Sequence, residues 1–259
     1  MNNLARTYIF KEMSKIKGCL SPIDGLMMAA LLIGQQAEGI QGGVAEIGVY
    51  FGRSFFLMQR LVGDYSKLLA ADLFDIGPHN SGPSDQLRDF ARTAERLGMA
   101  IDSSCVYVGD SAMLLPEQVL NIVGKCRFFH IDGGHEWEHV RNDAELALAT
   151  LSDCGIIVFD DFFNPQWPDV SLSVFDFIRR HEELQALAIT NKKLFVCMGN
   201  FVEKYSEIIT NAELLRNLKK IKVNLFGRAT ICLYEPIPRR IMYELASRIG
   251  IGQITVPLY

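Results

Sequence analysis

The 259-residue sequence predicts an α/β fold: an open, mostly parallel sheet with helices on both faces and one antiparallel strand near the C-terminus. Three observations predict it. Apolar strand-like runs alternate with helical patterns along most of the chain, as in parallel β-α-β units with right-handed crossovers. The strand runs are continuously apolar, as when helices cover both sheet faces. No repeat of fixed period and no low-complexity segment interrupts the pattern.

The elements follow in order. Residues 1–40 read as a helical extension, with apolar clusters at IFKEM (9–13) and GLMMAALLIG (25–34). VAEIGV (44–49) is the first strand, followed by the helical RSFFLMQRLV (53–62). KLLAADLF (67–74) is the second strand. The polar segment DIGPHNSGPS (75–84) then leads into a helix, DQLRDFARTAERLGM (85–99). SCVYVGDS (104–111), CRFFHIDGG (126–134) and CGIIVFDDF (154–162) are strands three to five, each followed by a helical pattern. KLFVCMG (193–199) and ATICLYE (229–235) are late strands. Residues 201–230 are too long for a hairpin loop and read as a helical insertion within a domain spanning 41–235. Residues 236–259 form a helical tail. The insertion and the tail are candidate lids or homo-oligomer surfaces, or simply pack on the outside of the sheet.

Bulk properties narrow the function classes. Nearly half the residues are apolar, enough for a substantial core. The net charge of −4 argues against general nucleic-acid binding, which calls for a basic stripe. No run of eighteen apolar residues appears, so no membrane span is expected, and the first residues lack the apolar stretch of a secretory signal. The six cysteines form no C-x-x-C pair. They read as reduced, buried thiols of a cytoplasmic protein rather than as a zinc site.

In an open parallel sheet, ligands bind beyond the carboxyl ends of the strands. Glu46-Ile47-Gly48-Val49-Tyr50-Phe51-Gly52-Arg53-Ser54 lies there, after the first strand. Gly48 and Gly52 let the backbone approach a ligand closely, and the helix starting near Ser54 presents free N–H groups. The turn is not G-x-G-x-x-G, and the acid at 46 would repel a pyrophosphate; it suits a ligand carrying an amino group. Asp72, ending the second strand, stands where an acid takes ribose hydroxyls. Asp110 and Ser111, ending the third, could meet a base or its exocyclic amine. Asp72 and Asp110 could equally cap helices.

Asp132 ends the fourth strand, and Asp160 and Asp161 end the fifth. Three carboxylates at one rim need a cation or protons to compensate their charge. Oxygen donors on rigid strand ends suit Mg2+ or Ca2+, and Asp161 could also cap the next helix. His135 opens the following helix at the same rim and is a candidate base, ligand or structural residue. His130, within the strand, reads as a hydrogen-bonded core residue, and His139 as a supporting or surface group. His79 belongs to a loop that either closes over substrate or is solvated. Trp167 could wall a ring substrate or plug the loop, and Trp137 could stack on an adenine or pack on the core.

These segments resemble the class I S-adenosylmethionine-dependent methyltransferases. The likeness is strongest to the small-molecule O-methyltransferases of methyltransferase family 24 and their macrocin-type sugar O-methyltransferase relatives. It is carried by EIGVYFGRS (46–54), AADLFD (70–75), VGDS (108–111), FFHIDGGHEWEHVRNDAELAL (128–148) and GIIVFDDFFNPQWPDV (155–170). The resemblance implies a Rossmann-like fold. It has Glu46, Gly48, Gly52 and Ser54 at the cofactor's aminoacyl end, Asp72 at its ribose, Asp110 and Ser111 near its adenine, and Asp132 beside its methyl group. It also implies Asp132, Asp160 and Asp161 as a divalent-metal set, Mg2+ or similar. Sugar O-methyltransferase relatives carry an acid two residues after the first of these, where this chain has Gly134, leaving His135 as the substitute base. The implied activity is O-methylation of a small hydroxylated acceptor. The competing readings are an N-methyltransferase and a catalytically silent cofactor-binding or scaffold protein. A nicotinamide oxidoreductase lacks its glycine motif, and a metal-dependent hydrolase leaves Gly48, Gly52 and Asp72 unexplained.

Overall fold

The computed structural model describes residues 1–62, 68–75, 85–235 and 237–249. The loop containing His79 lies outside them. The chain begins with helix α1 (Asn2–Thr7), prolonged by two irregular turns to Lys15, and α2 (Pro22–Ala37). The alternating part comprises β1 (Gly43–Ile47), α3 (Arg53–Val62), β2 (Leu68–Asp72), α4 (Asp85–Arg96), β3 (Val106–Val108), α5 (Pro116–Val123), β4 (Cys126–Ile131), α6 (Trp137–Thr150), β5 (Leu151–Phe159) and α7 (Pro168–Arg180). The C-terminal part is β6 (Leu184–Ile189), β7 (Leu194–Met198), α8 (Val202–Asn211), β8 (Lys219–Leu225), β9 (Arg228–Tyr234) and α9 (Ile237–Arg248).

The sheet runs β3-β2-β1-β4-β5-β7-β6-β9-β8. β1 to β5 are parallel, and the order reverses between β1 and β4. The Rossmann-like, mostly parallel α/β sheet is as expected, with two strands near the C-terminus, β7 and β8, running antiparallel where one was expected. β7 runs antiparallel between β5 and β6, and β6 runs parallel to β9. β6, an apolar LQALAI, and β8 are strands the sequence reading did not anticipate. β8 corrects the helical expectation for 201–230: α8 fills the first part, and 219–225 pairs with β9 through a hairpin closed at Phe226-Gly227. The LysLysIleLys run of β8 suits the last strand of the sheet, where lysines discourage further strand pairing.

Strand alternation divides the core into two. Val44, Phe128, Ile156, Val158 and Phe195 face α2, α3 and α8, with α1 beneath. Ala45, Phe129, Ile131, Ile157, Phe159 and Leu194 face α5, α6 and α7. α2 is apolar on nearly every side because it is buried along almost its whole length. It starts at Ser21, whose hydroxyl caps the Asp24 amide.

Candidate active site

At the carboxyl ends of β1 to β5 lies a cleft of about 550 Å3, within the size of small-molecule sites. The strand ends are in register. Ile47, Ile131 and Phe159 are lateral neighbours. The ladder continues one residue further: the Asp132 amide donates to the Ile47 carbonyl (2.8 Å) and the Asp160 amide to that of Ile131 (2.9 Å). Gly48, Asp132 and Asp160 thus form one row across the sheet.

Gly48 has φ +81°, and a Cβ there would stand 1.7 Å from the Asp132 carbonyl oxygen. Only glycine permits β1 and β4 to end so close together. Gly52 is different. It does not line the cleft; its missing side chain makes room for the ring of Phe56. Glu46 is also not at the surface of the cleft. It is completely buried, accepting from Ser54 Oγ and from His130 Nδ1 (2.7 Å). Both of these bonds fall on Oε1, and Glu46 Oε2 is buried without a hydrogen-bond partner. Ser54 lines the cleft above it.

Asp72 lines the cleft and organises the loops around it. Its Oδ2 accepts from the Tyr50 amide (2.7 Å). Its Oδ1 accepts from the Phe74 amide (2.7 Å) and Gln86 Nε2 (3.1 Å). Tyr50 and Phe74 both have positive φ, a costly conformation for such residues, and each donates its amide to this carboxylate. Burial raises the Asp72 pKa, and these hydrogen bonds oppose the rise. A carboxylate offers about four acceptor positions, so one remains for a hydroxyl in the cleft. Asp110 caps the turn at Ser111–Met113 through the Ala112 amide (2.9 Å), and with Ser111 it lines the cleft. The glycine cradle, the spare position on Asp72 and this third strand end fit a nucleoside cofactor. Behind Ser111, burial pushes the Asp143 carboxyl up to about 6, and neither of its oxygens has a hydrogen-bond partner.

At the other end, the three expected metal carboxylates divide. Asp160 follows Val158 in parity and points to the α2 face; Asp161 follows Phe159 and, with φ +52°, turns to the other side. Asp132 stands between them. Its potential ligand atoms lie within 4.8 Å of those of His130 and Asp160, and also of those of His135 and Asp161. Each aspartate of the fifth strand has its own lysine. The tight turn before β7, closed by the Thr190 amide on the Lys193 carbonyl (3.0 Å), offers two consecutive lysines to opposite faces. Lys193 is 1% exposed and its Nζ lies 2.9 Å from Asp160 Oδ2. Lys192, on the outer side, lies 3.4 Å from Asp161 Oδ1.

The inner group is a continuous polar chain. Lys193 Nζ also donates to His130 Nε2 (2.7 Å). An ammonium can only donate, so the His130 ring proton is on Nδ1 and is given to Glu46 Oε1. Ser54, Glu46, His130, Lys193 and Asp160 thereby link the first-strand turn to the rim. Burial raises the Asp132 carboxyl well above its ordinary value, with the charge of Asp160 adding to the rise. Burial also acts to raise Asp160, but the charge of Lys193 outweighs it and holds Asp160 low. Asp132 and Asp160 are thus pushed in opposite directions, Asp132 up and Asp160 down.

The outer group is a dyad. His135 Nε2 lies 3.0 Å from Asp161 Oδ2, and its ring stacks on Trp167 with centroids 4.4 Å apart. Asn164 Nδ2 donates to Asp161 Oδ1 (2.7 Å). Despite partial burial, the hydrogen bonds from His135 and Asn164 keep Asp161 below the usual carboxylate range. Position 134 could not carry the acid of the sugar-modifying relatives, because a Cβ there would lie 2.4 Å from Nδ1 of His139. Trp137 does not line the cleft.

The three expected carboxylates do not act as one set: Asp160 is paired with the buried Lys193 ammonium, whereas Asp132, His135 and Asp161 bring potential ligand atoms within 4.8 Å of one another. Lys193 is the site residue that sequence reasoning missed. The available signal was a lysine pair between a turn and a wholly apolar strand.

The model of a methyltransferase-domain family, methyltransferase family 24, matches residues 45–162. No curated protein matches the sequence significantly. Among solved structures, the O-methyltransferase NovP superposes with a TM-score of 0.59 at 13% identity, covering 76% of this chain and 97% of that one. CalS11, described as a TDP-rhamnose 3′-O-methyltransferase of calicheamicin biosynthesis, gives 0.51 at 18% identity, over 67% of this chain and 79% of that one. The S-adenosylhomocysteine-bound methyltransferase PaMTH1 of Podospora anserina gives 0.50 at 13% identity, over 75% and 87%. At such identities the likeness is one of fold. With the strand order and the cleft at the switch point, the match over residues 45–162 marks this part of the chain as a methyltransferase domain.

Proposed function

We propose that the protein methylates a hydroxyl group of a small molecule or sugar, with His135 as the base. The observation that carries this is the His135–Asp161 pair, 3.0 Å apart and braced by Trp167, within the cleft that also contains Gly48 and Asp72. NovP and CalS11, both named as O-methyltransferases, support an oxygen acceptor.

Bound S-adenosylmethionine supplies the electrophilic methyl group. The chain's own residues do the rest. The Gly48 turn and Ser54 hold the aminoacyl end, Asp72 takes a ribose hydroxyl, and Asp110 and Ser111 meet the adenine edge. Asp161 accepts the Nε2 proton of His135 and fixes the ring, leaving Nδ1 to take the proton from the acceptor hydroxyl. As that proton arrives, the ionised Asp161 stabilises the imidazolium. Trp167 fixes the ring plane and offers an apolar wall to a sugar or aromatic acceptor. Asp132, as a neutral acid, can donate a hydrogen bond to an acceptor oxygen. No step above is assigned to a divalent cation, because the Lys193 ammonium already holds Asp160.

No described helix is long and apolar enough to cross a membrane. The six cysteines are free thiols, in keeping with a cytoplasmic setting.

The test is calorimetric binding of S-adenosylhomocysteine, followed by an acceptor screen over hydroxylated and amino compounds. Micromolar binding and transfer to a hydroxyl are expected. Binding with transfer only to amines would move the reading to N-methylation. Binding with no turnover on any acceptor would leave a silent cofactor-binding protein.

A further inference from the structure

The rim needs positive charge. Asp160 pairs directly with Lys193, and the carboxyls of Asp24 and Asp132 stand close by. A buried ammonium is costly unless it is paired and hydrogen-bonded. Lys193 meets both conditions, with Asp160 Oδ2 at 2.9 Å and His130 Nε2 at 2.7 Å. Its place is fixed by the fold. The turn that carries it is closed by a backbone hydrogen bond, and β7 is paired on both sides.

We infer that Lys193 is a built-in substitute for the divalent cation: it supplies, as part of the fold, the positive charge that a metal ion would bring to these carboxylates, and methyl transfer here is metal-independent. The inference rests on the reading of this rim as the acceptor end of the cleft. Two features make the substitution specific. A divalent ion on Asp160 would be forced against the ammonium sharing that carboxylate, with no dielectric to screen them. In the second group, Asp161 already gives one oxygen to His135 and the other to Asn164 and Lys192, so an ion there would have to compete with those donors. A consequence follows for the acceptor. Metal-assisted transfer favours neighbouring oxygens that chelate the ion, whereas an ammonium that stays on Asp160 makes no such demand, so an acceptor with one isolated hydroxyl is sufficient.

Lys193 is a positioning residue, and its test reads metal binding rather than rate. Mn2+ is titrated into the full-length protein, and free ion is followed by electron paramagnetic resonance. The wild type is expected to leave the free-ion signal unchanged up to about millimolar Mn2+. Lys193→Met, which leaves the carboxylates without their counter-charge, is expected to bind Mn2+ at least about tenfold more tightly. Adding Asp160→Asn to that variant should abolish the gain. Micromolar Mn2+ binding by the wild type that Asp132→Asn removes would overturn the inference. So would a folded Lys193→Met protein with no gain. If Lys193→Met does not fold, Lys193→Gln carries the same comparison, because its amide still donates towards Asp160. Calorimetry with S-adenosylhomocysteine, in EDTA and in Mg2+, runs alongside. Affinity equal within about twofold is expected, and dependence on Mg2+ would count against the inference. Absence of cofactor binding under both conditions would strike the methyltransferase reading and leave the Mn2+ result interpretable by itself.

Discussion

The two ends of the cleft are built differently. The end formed by β1, β2 and β3 is made of backbone. Its one central carboxylate, Asp72, is spent on two amides and Gln86, and its shape comes from Gly48 and from the positive-φ residues Tyr50 and Phe74. The end formed by β4, β5 and β7 is made of ionisable side chains: Asp160 with Lys193 and His130 on one face, Asp161 with Lys192 and His135 on the other, and Asp132 between them. Backbone shape suits a ligand that never varies. Paired side chains suit a ligand whose proton must be moved. Changes at the first end should therefore act on cofactor affinity, and changes at the second on turnover.

The sharpest way to break this division is His135→Ala. Turnover should fall by about 10²–10⁴-fold, while S-adenosylhomocysteine affinity, measured by calorimetry, stays unchanged. A parallel loss of affinity would show that the two ends are not separable. Next comes Asp72→Ala, which removes charge-assisted bonds that hold the Tyr50 and Phe74 loops. Cofactor affinity should weaken by roughly 10–100-fold; turnover at saturating cofactor should change far less.

Asp143 tests the border between the ends, under Gly133 and beside Ser111. Its carboxyl is raised by burial from 3.8 to about 6 in the folded chain. A raised acid favours the folded state below its unfolded pKa and loses that contribution as pH rises through the folded one. Wild-type stability should therefore fall relative to Asp143→Asn between about pH 4 and pH 6 and run parallel to it above. The relative change is about 3 kcal/mol at most, read from thermal unfolding at several pH values. A constant offset across that range would mean the carboxyl does not titrate there. The smallest effect belongs to Lys192→Ala. Its ion pair with Asp161 is half exposed, and stability should move by no more than about 0.5 kcal/mol. A large loss of turnover would instead make Lys192 a partner in the His135 dyad.

The sequence made much of this legible, for physical reasons. β1 to β5 are mostly apolar, and acids at their carboxyl ends stand out by contrast, so Asp72, Asp110, Asp132 and Asp160 are legible by position. The family resemblance at 128–148 and 155–170 pointed to the same rim. Other features depend on which way a side chain turns. Asp160 and Asp161 are neighbours in the chain but lie on opposite faces, and only strand parity separates them. Glu46 points inward, where His130, 84 residues away, and Ser54 bond to its Oε1. Lys193 reaches Asp160 only because β7 enters antiparallel between β5 and β6. β8 escaped notice because an edge strand rich in lysine has neither the apolar run of the central strands nor a clear alternation.

The turn between β6 and β7 has a consequence for how the enzyme is made. During synthesis, the acids at 132, 160 and 161 leave the ribosome before the lysines that neutralise them. Until residues 192 and 193 emerge and dock, those carboxylates must remain hydrated, so the sheet cannot close dry at that edge. A nascent chain halted short of the turn should thus hold a half-sheet with an open, water-filled flank. The arrival of a single hairpin then seals the flank and arms the site in the same event.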